Sequence, residues 1–380
     1  MMVYLYLCPR NILTLISMKK KALIKHSLTG IVYAMLLTAT VSFSSCSDND
    51  DNGDNFPVSL SPYDMNSPVG FGQGITGGNG LNPVTVKTEE ALKEALSGTK
   101  EATIYVEGHI SLKNMISVGS NKTIIGRKGA SISNLQRNEK AGIFLLEGSR
   151  NIIIRNLTLL GPGAFDIDAN NSDNISLVGA VKVWVDHCDI QDGIDGNMDI
   201  VNGSDSICVS WTRFRYLIPP MASGSGGNND HRNSNLIGNS NKNVEQDAGR
   251  LNCTFINCWW GEGCSERCPR VRFGKVHVVN SLYNGNDFTY CIGYGVYSNI
   301  YAEKCAFTTK NAQDNYLYDW HGDADFNVKV TGCLGVDDVE LKQGNQGQFI
   351  PTYPYTSYDA TLVESVLTDA KTGAGPTLDM

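Results

Sequence analysis

Positive charge is scarce in this sequence. Lys and Arg number 31 against 39 Asp and Glu in 380 residues, a formal net charge of −8. A general nucleic-acid binder carries a basic excess or stripe, so that class is set aside. Helix signals are also sparse, which argues against a helical protein. No CxxC pair or His cluster has transition-metal spacing, and no apolar run is long enough to span a bilayer comfortably. Disorder is excluded by a hydrophobic content of 41% beside a charged fraction of 18%. What is plentiful is glycine. The 39 glycines exceed the usual share of roughly 7%, which favours a turn-rich, all-β fold.

The first residues read as a leader. Lys19, Lys20, Lys21 and Lys25 precede the apolar run Ile31-Val32-Tyr33-Ala34-Met35-Leu36-Leu37, which ends in Ser42-Phe43-Ser44-Ser45-Cys46. A basic region, a short apolar region and small residues make a secretory signal over residues 1–45, with Met18 the expected start. Two small residues before a Cys are similar to a bacterial lipobox, which puts a diacylglycerol thioether on Cys46; an ordinary signal peptide with an incidental Cys is the alternative. The acidic stretch from Ser47 to Asn55 reads as part of a flexible tether over 46–67. It is similar to the outward export signal of surface lipoproteins in Gram-negative bacteria, and equally to a plain linker. An outer-membrane or cell-surface lipoprotein is therefore expected, with a secreted or periplasmic protein as the alternative. Without residues 1–45, which hold five basic and no acidic residues, the chain has 26 basic against 39 acidic, a net of −13.

Thr88 can cap a short helix with Glu89 and Glu90 in its first turn and Ala91, Leu92, Ala95 and Leu96 on its apolar face. A weaker helix signal runs from Ala360 to about Thr372. Between them lie short strands separated by Gly, Asn, Asp and Ser, and the strands repeat. Segments beginning at Ile152, Val183, Ile207, Cys253, Val276, Ile300 and Val328 superpose, with apolar residues at positions 1 and 3 and a polar or turn residue at position 5. Position 6 falls at Leu157, Cys188, Thr212, Cys258, Ser281, Cys305 and Cys333, in steps of 31, 24, 46, 23, 24 and 28. A base period in the low twenties is a solenoid signature, and the longer steps need inserted loops. Each coil buries its apolar face only by stacking on its neighbours. The expected fold is all-β: a single-stranded right-handed parallel β-helix over 68–380, with a short N-terminal capping helix and long loops on one side. A leucine-rich repeat is set aside because its consensus is absent. The Cys at position 6 are expected as stacked core residues. Cys264 and Cys268, four apart on a loop, are the best disulfide candidate.

Two patches stand apart from the repeat: Trp184-Val185-Asp186-His187-Cys188 followed by Asp195-Gly-Asn-Met-Asp199, and Arg267-Cys-Pro-Arg270-Val-Arg272-Phe-Gly-Lys-Val-His277. Strand alternation points Asp186 and Asp199 outward, with Asp195 on a turn four residues before Asp199. If the three converge on one outer surface, carboxylates that would otherwise repel one another need a bridging cation, and Ca²⁺ suits hard oxygen ligands. Three solvated turn aspartates are the plainer reading, and His187 reads as a turn residue. Arg267 and Arg272 can face the same groove, where guanidinium forks bind carboxylates. Cation-binding acids beside carboxylate-binding arginines suit a polyanionic substrate.

These blocks resemble the pectate lyase superfamily, polysaccharide lyase family 1, over roughly residues 68–380. Gly70-Phe-Gly-Gln-Gly-Ile-Thr-Gly-Gly78 matches the family's opening, and Ile104-Tyr-Val-Glu-Gly108 and Ser120-Asn-Lys-Thr-Ile-Ile-Gly126 its early coils. Trp184-Val-Asp-His187 is similar to its Trp-Ile/Val-Asp-His block, Asp195 to Asp199 to its Asp-Gly-x-x-Asp calcium segment, and Arg267 to Arg272 to Arg-x-Pro-x-x-Arg. The resemblance implies a monomeric, Ca²⁺-dependent enzyme that cleaves demethylated homogalacturonan by β-elimination. Asp186, Asp195 and Asp199 would hold Ca²⁺, Arg267 would remove the C5 proton, and Arg272 and Arg270 would bind substrate. An arginine base is unusual, because guanidinium stays protonated in proteins, and an alkaline optimum would accord with it. The chain departs from the family where a Lys usually precedes Leu-x-Gly. Here Asp230-His231-Arg232-Asn233-Ser234-Asn235 precedes Leu236-Ile237-Gly238, after an apparent insertion from Pro219 to Asn229. Arg232 is the nearest substitute cation. A pectin lyase acting on methyl-esterified chains and a non-catalytic pectin-binding surface lipoprotein are the alternatives. A polygalacturonase is not, because its Asn-Thr-Asp and Gly-His-Gly blocks are absent.

Overall fold

The segments aligned by the repeat lie side by side. In the computed structural model, which describes residues 66–167 and 172–380, Ile152, Val183, Ile207, Cys253, Val276, Ile300 and Val328 occupy one row of a parallel sheet in direct register. The leader, Cys46 and nearly all of the tether lie outside the described residues. The described residues belong to one unit, Phe56–Met380.

Three sheets form the faces of the solenoid. Sheet A has eleven strands, ten parallel from Val84–Val86 to Phe326–Thr331 and a last, antiparallel one at Val339–Gln343. Sheet B has eight, from His109–Ser111 to Ala306–Phe307. Sheet C has eight, from Ile116–Ser117 to Leu317–Trp320. Each coil runs from A through a tight bend to B, through a loop of variable length to C, and back to A. This is a parallel β-helix.

Position 5 makes the bend. Asn156, His187, Trp211, Asn257, Asn280, Lys304 and Gly332 all have left-handed φ, between 45° and 61°. Asn tolerates this conformation better than other residues with a Cβ, and here its side chain also ties one coil to the next. Asn156 Nδ2 donates to Gly126 O of a neighbouring coil at 2.9 Å, and Asn280 Nδ2 donates to Lys304 O at 3.0 Å. His187 is thus a turn residue, as expected.

Inward residues stack as ladders. Phe214, Trp260, Tyr283 and Phe307 form one, with ring centroids 5.7, 5.0 and 4.5 Å apart. Cys188, Cys258 and Cys305 are fully buried at position 6, and Cys333 is partly buried at the last coil. Cys264 and Cys268 are not bridged: the nine described cysteines are all free thiols. The helix Glu89–Leu96 caps the N-terminal coil. Thr88 accepts from the Ala91 amide at 3.2 Å, and Leu92 and Leu96 are buried. Each such leucine contributes about 1.5–3 kcal/mol by leaving water. The second helix signal yields only a 3₁₀ turn at Ala360–Leu362 and the short helix Val363–Leu367.

Candidate active site

The loops from sheet B to sheet C bring together part of the expected site. Asp199 lies on the sheet C strand Met198–Val201, between inward-facing Met198 and Ile200. Its partner in register is Ser176 on the strand Ile175–Val178, one coil earlier. Just before that strand is Asp173, a residue the sequence reading passed over. Asp173 and Asp199 face each other across Gly196. A Cβ at Gly196 would stand 2.5 Å from Asp173 Oδ1 and 3.4 Å from Asp199 Oδ1. The glycine therefore leaves open the space on which both oxygens converge.

Electrostatics mark the same place. Burial, followed by the charges of Asp199 and Asp195, pushes the Asp173 carboxyl well above the usual range. Burial pushes Asp199 up to about 7, Asp195 adds to the rise, and Arg267 opposes it. Asp173 Oδ2 accepts from Ser176 at 2.9 Å, but its buried Oδ1 has no hydrogen-bond partner. Asp199 Oδ1 accepts the Leu236 amide at 3.0 Å. Crowded carboxylates with an orphaned oxygen fit a hard cation taken through oxygen donors. Among the described residues, no three His, Cys, Asp or Glu side chains stand close enough to enclose an ion alone.

Asp186 is not part of it. It ends a sheet A strand, on a different face from Asp199, and is fully buried. Arg155 Nε donates to its Oδ2 at 2.7 Å, His187 Nδ1 lies 2.8 Å from the same oxygen, and Ser210 Oγ donates to Oδ1 at 2.5 Å. Both oxygens are engaged, and the carboxylate holds three coils together. The reading that placed Asp186 with Asp195 and Asp199 is corrected here: outward on one sheet of a three-sided coil is not outward on another.

Arg267 does face the cluster. It has left-handed φ of 61° just before the sheet C strand Arg270–Val271. Its Nε is buried and without a partner. Burial works to lower its pKa, but Asp199, Tyr290 and Asp195 hold it above the ordinary arginine value. Arg270 lies on the outer face of sheet C, its guanidinium 4.0 Å from the centre of the Trp320 ring. Arg272 is committed differently. Its Nε donates to Asn241 Oδ1 at 2.7 Å and its Nη1 to Gly238 O at 2.6 Å. Burial, then Arg270 and Arg267, push its pKa down to about 10.

The cation substitution expected at Arg232 is also revised. Arg232 forms a two-pronged pair with Asp230, at 2.8 and 2.7 Å, and lies 3.6 Å from Asp287. Its neighbour His231 faces the cluster instead. His231 Nε2 is 2.8 Å from Asp195 Oδ1, and Nδ1 is 3.4 Å from Asp166 Oδ1. Asp166 also accepts the Asn228 amide at 2.7 Å. Asp166 and His231 thus pin the 219–229 segment beside the carboxylates. Neither residue carried a signal in the sequence, because the spacing of a long loop does not reveal which residue turns back.

A family model described as pectate lyase matches residues 63–376. Among curated proteins, the chain is 31% identical over 326 residues to a probable pectate lyase B of Aspergillus terreus, covering 82% of this chain and 89% of that one. It is 31% identical over 323 residues to pectate lyase B of Colletotrichum gloeosporioides, covering 82% and 86%, and 29% identical over 357 residues to pectate lyase E of Dickeya chrysanthemi, covering 80% and 87%. Among solved structures, the fold is similar to a thermostable pectate lyase, with a TM-score of 0.62, 21% identity and coverage of 83% and 98%. It is similar also to a pectate lyase bound to a hexasaccharide, with a TM-score of 0.64, 21% identity and coverage of 82% and 98%.

Proposed function

This chain belongs to the pectate lyase family and is a polysaccharide lyase, and on that premise we propose that it cleaves demethylated homogalacturonan in a Ca²⁺-dependent β-elimination. The observation that carries this reading is the group of Asp173, Asp195 and Asp199 beside the buried, incompletely paired Arg267. Asp173 and Asp199 would give the ion its protein oxygens, Asp195 would add negative charge beside it, and the remaining ligands would be water and substrate oxygens. Bound there, Ca²⁺ supplies positive charge that ties a substrate carboxylate to an acidic protein and stabilises charge developing upon it.

Arg267 is the base in this reading. It takes the proton from C5 of a galacturonate, the C5–H electron pair becomes a double bond between C4 and C5, and the C4–O4 bond breaks with its pair leaving on O4, which takes a proton from water. The C5 proton is acidified by the adjacent carboxylate, and fixed positive charge nearby stabilises the enolate-like transition state. Asp199 and Asp195 favour the protonated form of Arg267, so neutralising their charge favours the form that can accept a proton. Arg270 presents a fork to a substrate carboxylate on the outer face. Arg272 supports that wall by holding the Gly238–Asn241 turn. His231, with Asp166 behind it, orients Asp195.

Export through the leader belongs to the same reading. Lipidation at Cys46 rests on the Ser44-Ser45-Cys46 pattern alone, and the relatives from Aspergillus and Colletotrichum lend it no support.

The test follows the ultraviolet absorbance of the unsaturated product on polygalacturonate, with Ca²⁺ and then with a chelator. A rise abolished by the chelator is expected. A rise that survives chelation would sink the metal assignment and point to methyl-esterified pectin as substrate.

A further inference from the structure

We propose that Tyr318 and Trp320, together with Arg270, form a uronate-binding subsite farther along the groove from the carboxylate cluster; this rests on the pectate lyase reading above. The outer face of sheet C carries one residue per strand in register. The row runs Asp199, Leu236, Arg270, Gly293, Tyr318. Neighbouring strands are about 4.8 Å apart, so Tyr318 lies roughly 10 Å beyond Arg270. The row that begins at the carboxylates therefore ends in an aromatic surface.

That surface is open. Tyr318 is 46% exposed and Trp320 38%, with ring centroids 5.1 Å apart. Buried Tyr290 packs against both, at 5.3 and 6.2 Å. The arrangement depends on Gly293. A Cβ there would meet Tyr290 Cε2 at 2.8 Å, Trp320 Cδ1 at 3.2 Å and Arg270 Cγ at 3.4 Å. Three side chains thus close over one bare backbone position. Two buried polar atoms here have no hydrogen-bond partner, Arg270 Nε and the Tyr290 hydroxyl.

The ligand chemistry follows. A pyranose ring offers an apolar C–H face that lies flat on an aromatic ring. A carboxylate needs a guanidinium fork. A uronic acid has both, and a polymer held at Arg267 extends along this row.

The experiment compares the wild-type enzyme, Trp320→Ala and Trp320→Phe on a galacturonate trimer and hexamer. In Trp320→Ala, KM for the hexamer is expected to rise about five- to tenfold, the loss of one stacked ring face, and KM for the trimer by much less. Trp320→Phe should recover most of the loss. The hexamer should also quench a tryptophan fluorescence component that Trp320→Phe lacks. Equal KM increases for both oligomers, or a fall in kcat with KM retained, would overturn the subsite and leave the rings as packing for Arg270. If the wild-type enzyme cleaves no galacturonan, the pectate reading falls instead. The fluorescence titration then decides the subsite: quenching dependent on Trp320 upholds it, and no quenching overturns it.

Discussion

Two arginine–aspartate neighbourhoods sit in this β-helix, and they are built in opposite ways. On sheet A, Asp186 has Arg155, His187 and Ser210 on its two oxygens, so both are engaged, and the one buried polar atom left over is His187 Nε2, a neutral ring nitrogen or its N–H and not a carboxylate oxygen. On sheet C, Asp173 has an orphaned oxygen, Asp199 and Asp195 repel it, and Arg267 keeps an unpaired Nε. The first arrangement is what a buried charge needs in order to be harmless. The second retains unspent interaction, which is what a ligand can use. A conspicuous aspartate in a motif can therefore belong to either class, and its hydrogen bonds tell which.

Substitutions should separate the two. Arg267→Lys is expected to cost most, about 10²–10⁴ in kcat, the usual contribution of a positioned base, while thermal unfolding stays near the wild-type temperature. Product absorbance and a melting curve check both halves. Asp186→Asn should do the reverse. Breaking a buried pair costs about 3–5 kcal/mol, so the unfolding midpoint in denaturant should fall while Ca²⁺ affinity of the folded protein persists. If Asp186→Asn abolished Ca²⁺ binding without lowering stability, the contrast between the two sites would fail.

Asp199→Asn and Gly196→Ala act on the cradle itself. Gly196→Ala should weaken Ca²⁺ by about 10–100-fold in a calorimetric titration, the scale seen when a ligand's surroundings are disturbed, and Asp199→Asn, which removes a ligand's charge, by at least as much. Asp199→Asn should raise the melting temperature of the metal-free protein, because a carboxylate that burial disfavours, and that Asp195 repels, is gone.

The smallest effect is a pH dependence. Asp199 is pushed up to about 7 in the fold, so the folded state holds its proton more tightly than the unfolded chain. The stability this gives the metal-free protein is fully present below the ordinary Asp pKa and is lost as pH rises through about 7. The melting-temperature gain from Ca²⁺ should accordingly grow from about pH 4 to pH 7. A gain independent of pH would remove Asp199 from the ion site.

Much of the architecture was legible beforehand. The aligned segments from Ile152 to Val328 match the sheet A ladder residue for residue, and position 5 is the left-handed bend throughout. Those features repeat, so one sequence exposes them many times. The site was legible in part. Asp195, Asp199 and Arg267 were picked out and lie together. Asp186 was misassigned because period-two alternation distinguishes inside from outside but not which of three outer faces a residue occupies. Asp173 was missed for the complementary reason: only the register of sheet C, whose strands are short and loosely patterned, sets Asp173 opposite Gly196. Arg232 stands out in the sequence for its charge, whereas its pairing with Asp230 through Nε and Nη2 is visible only in the fold.

The corner between sheets A and B is a single left-handed residue in seven successive coils, whereas the connection from B to C ranges from a short turn to the long segment ending at Asn235. Growth of the polypeptide is thus kept away from the A–B corner: it falls between B and C, and once between C and A, where residues 238–252 carry the helix Val244–Asp247. A laboratory wishing to retune this protein could lengthen, shorten or graft those excursions and leave the stacking frame untouched. Lengthening the opposite corner would throw every later rung out of step.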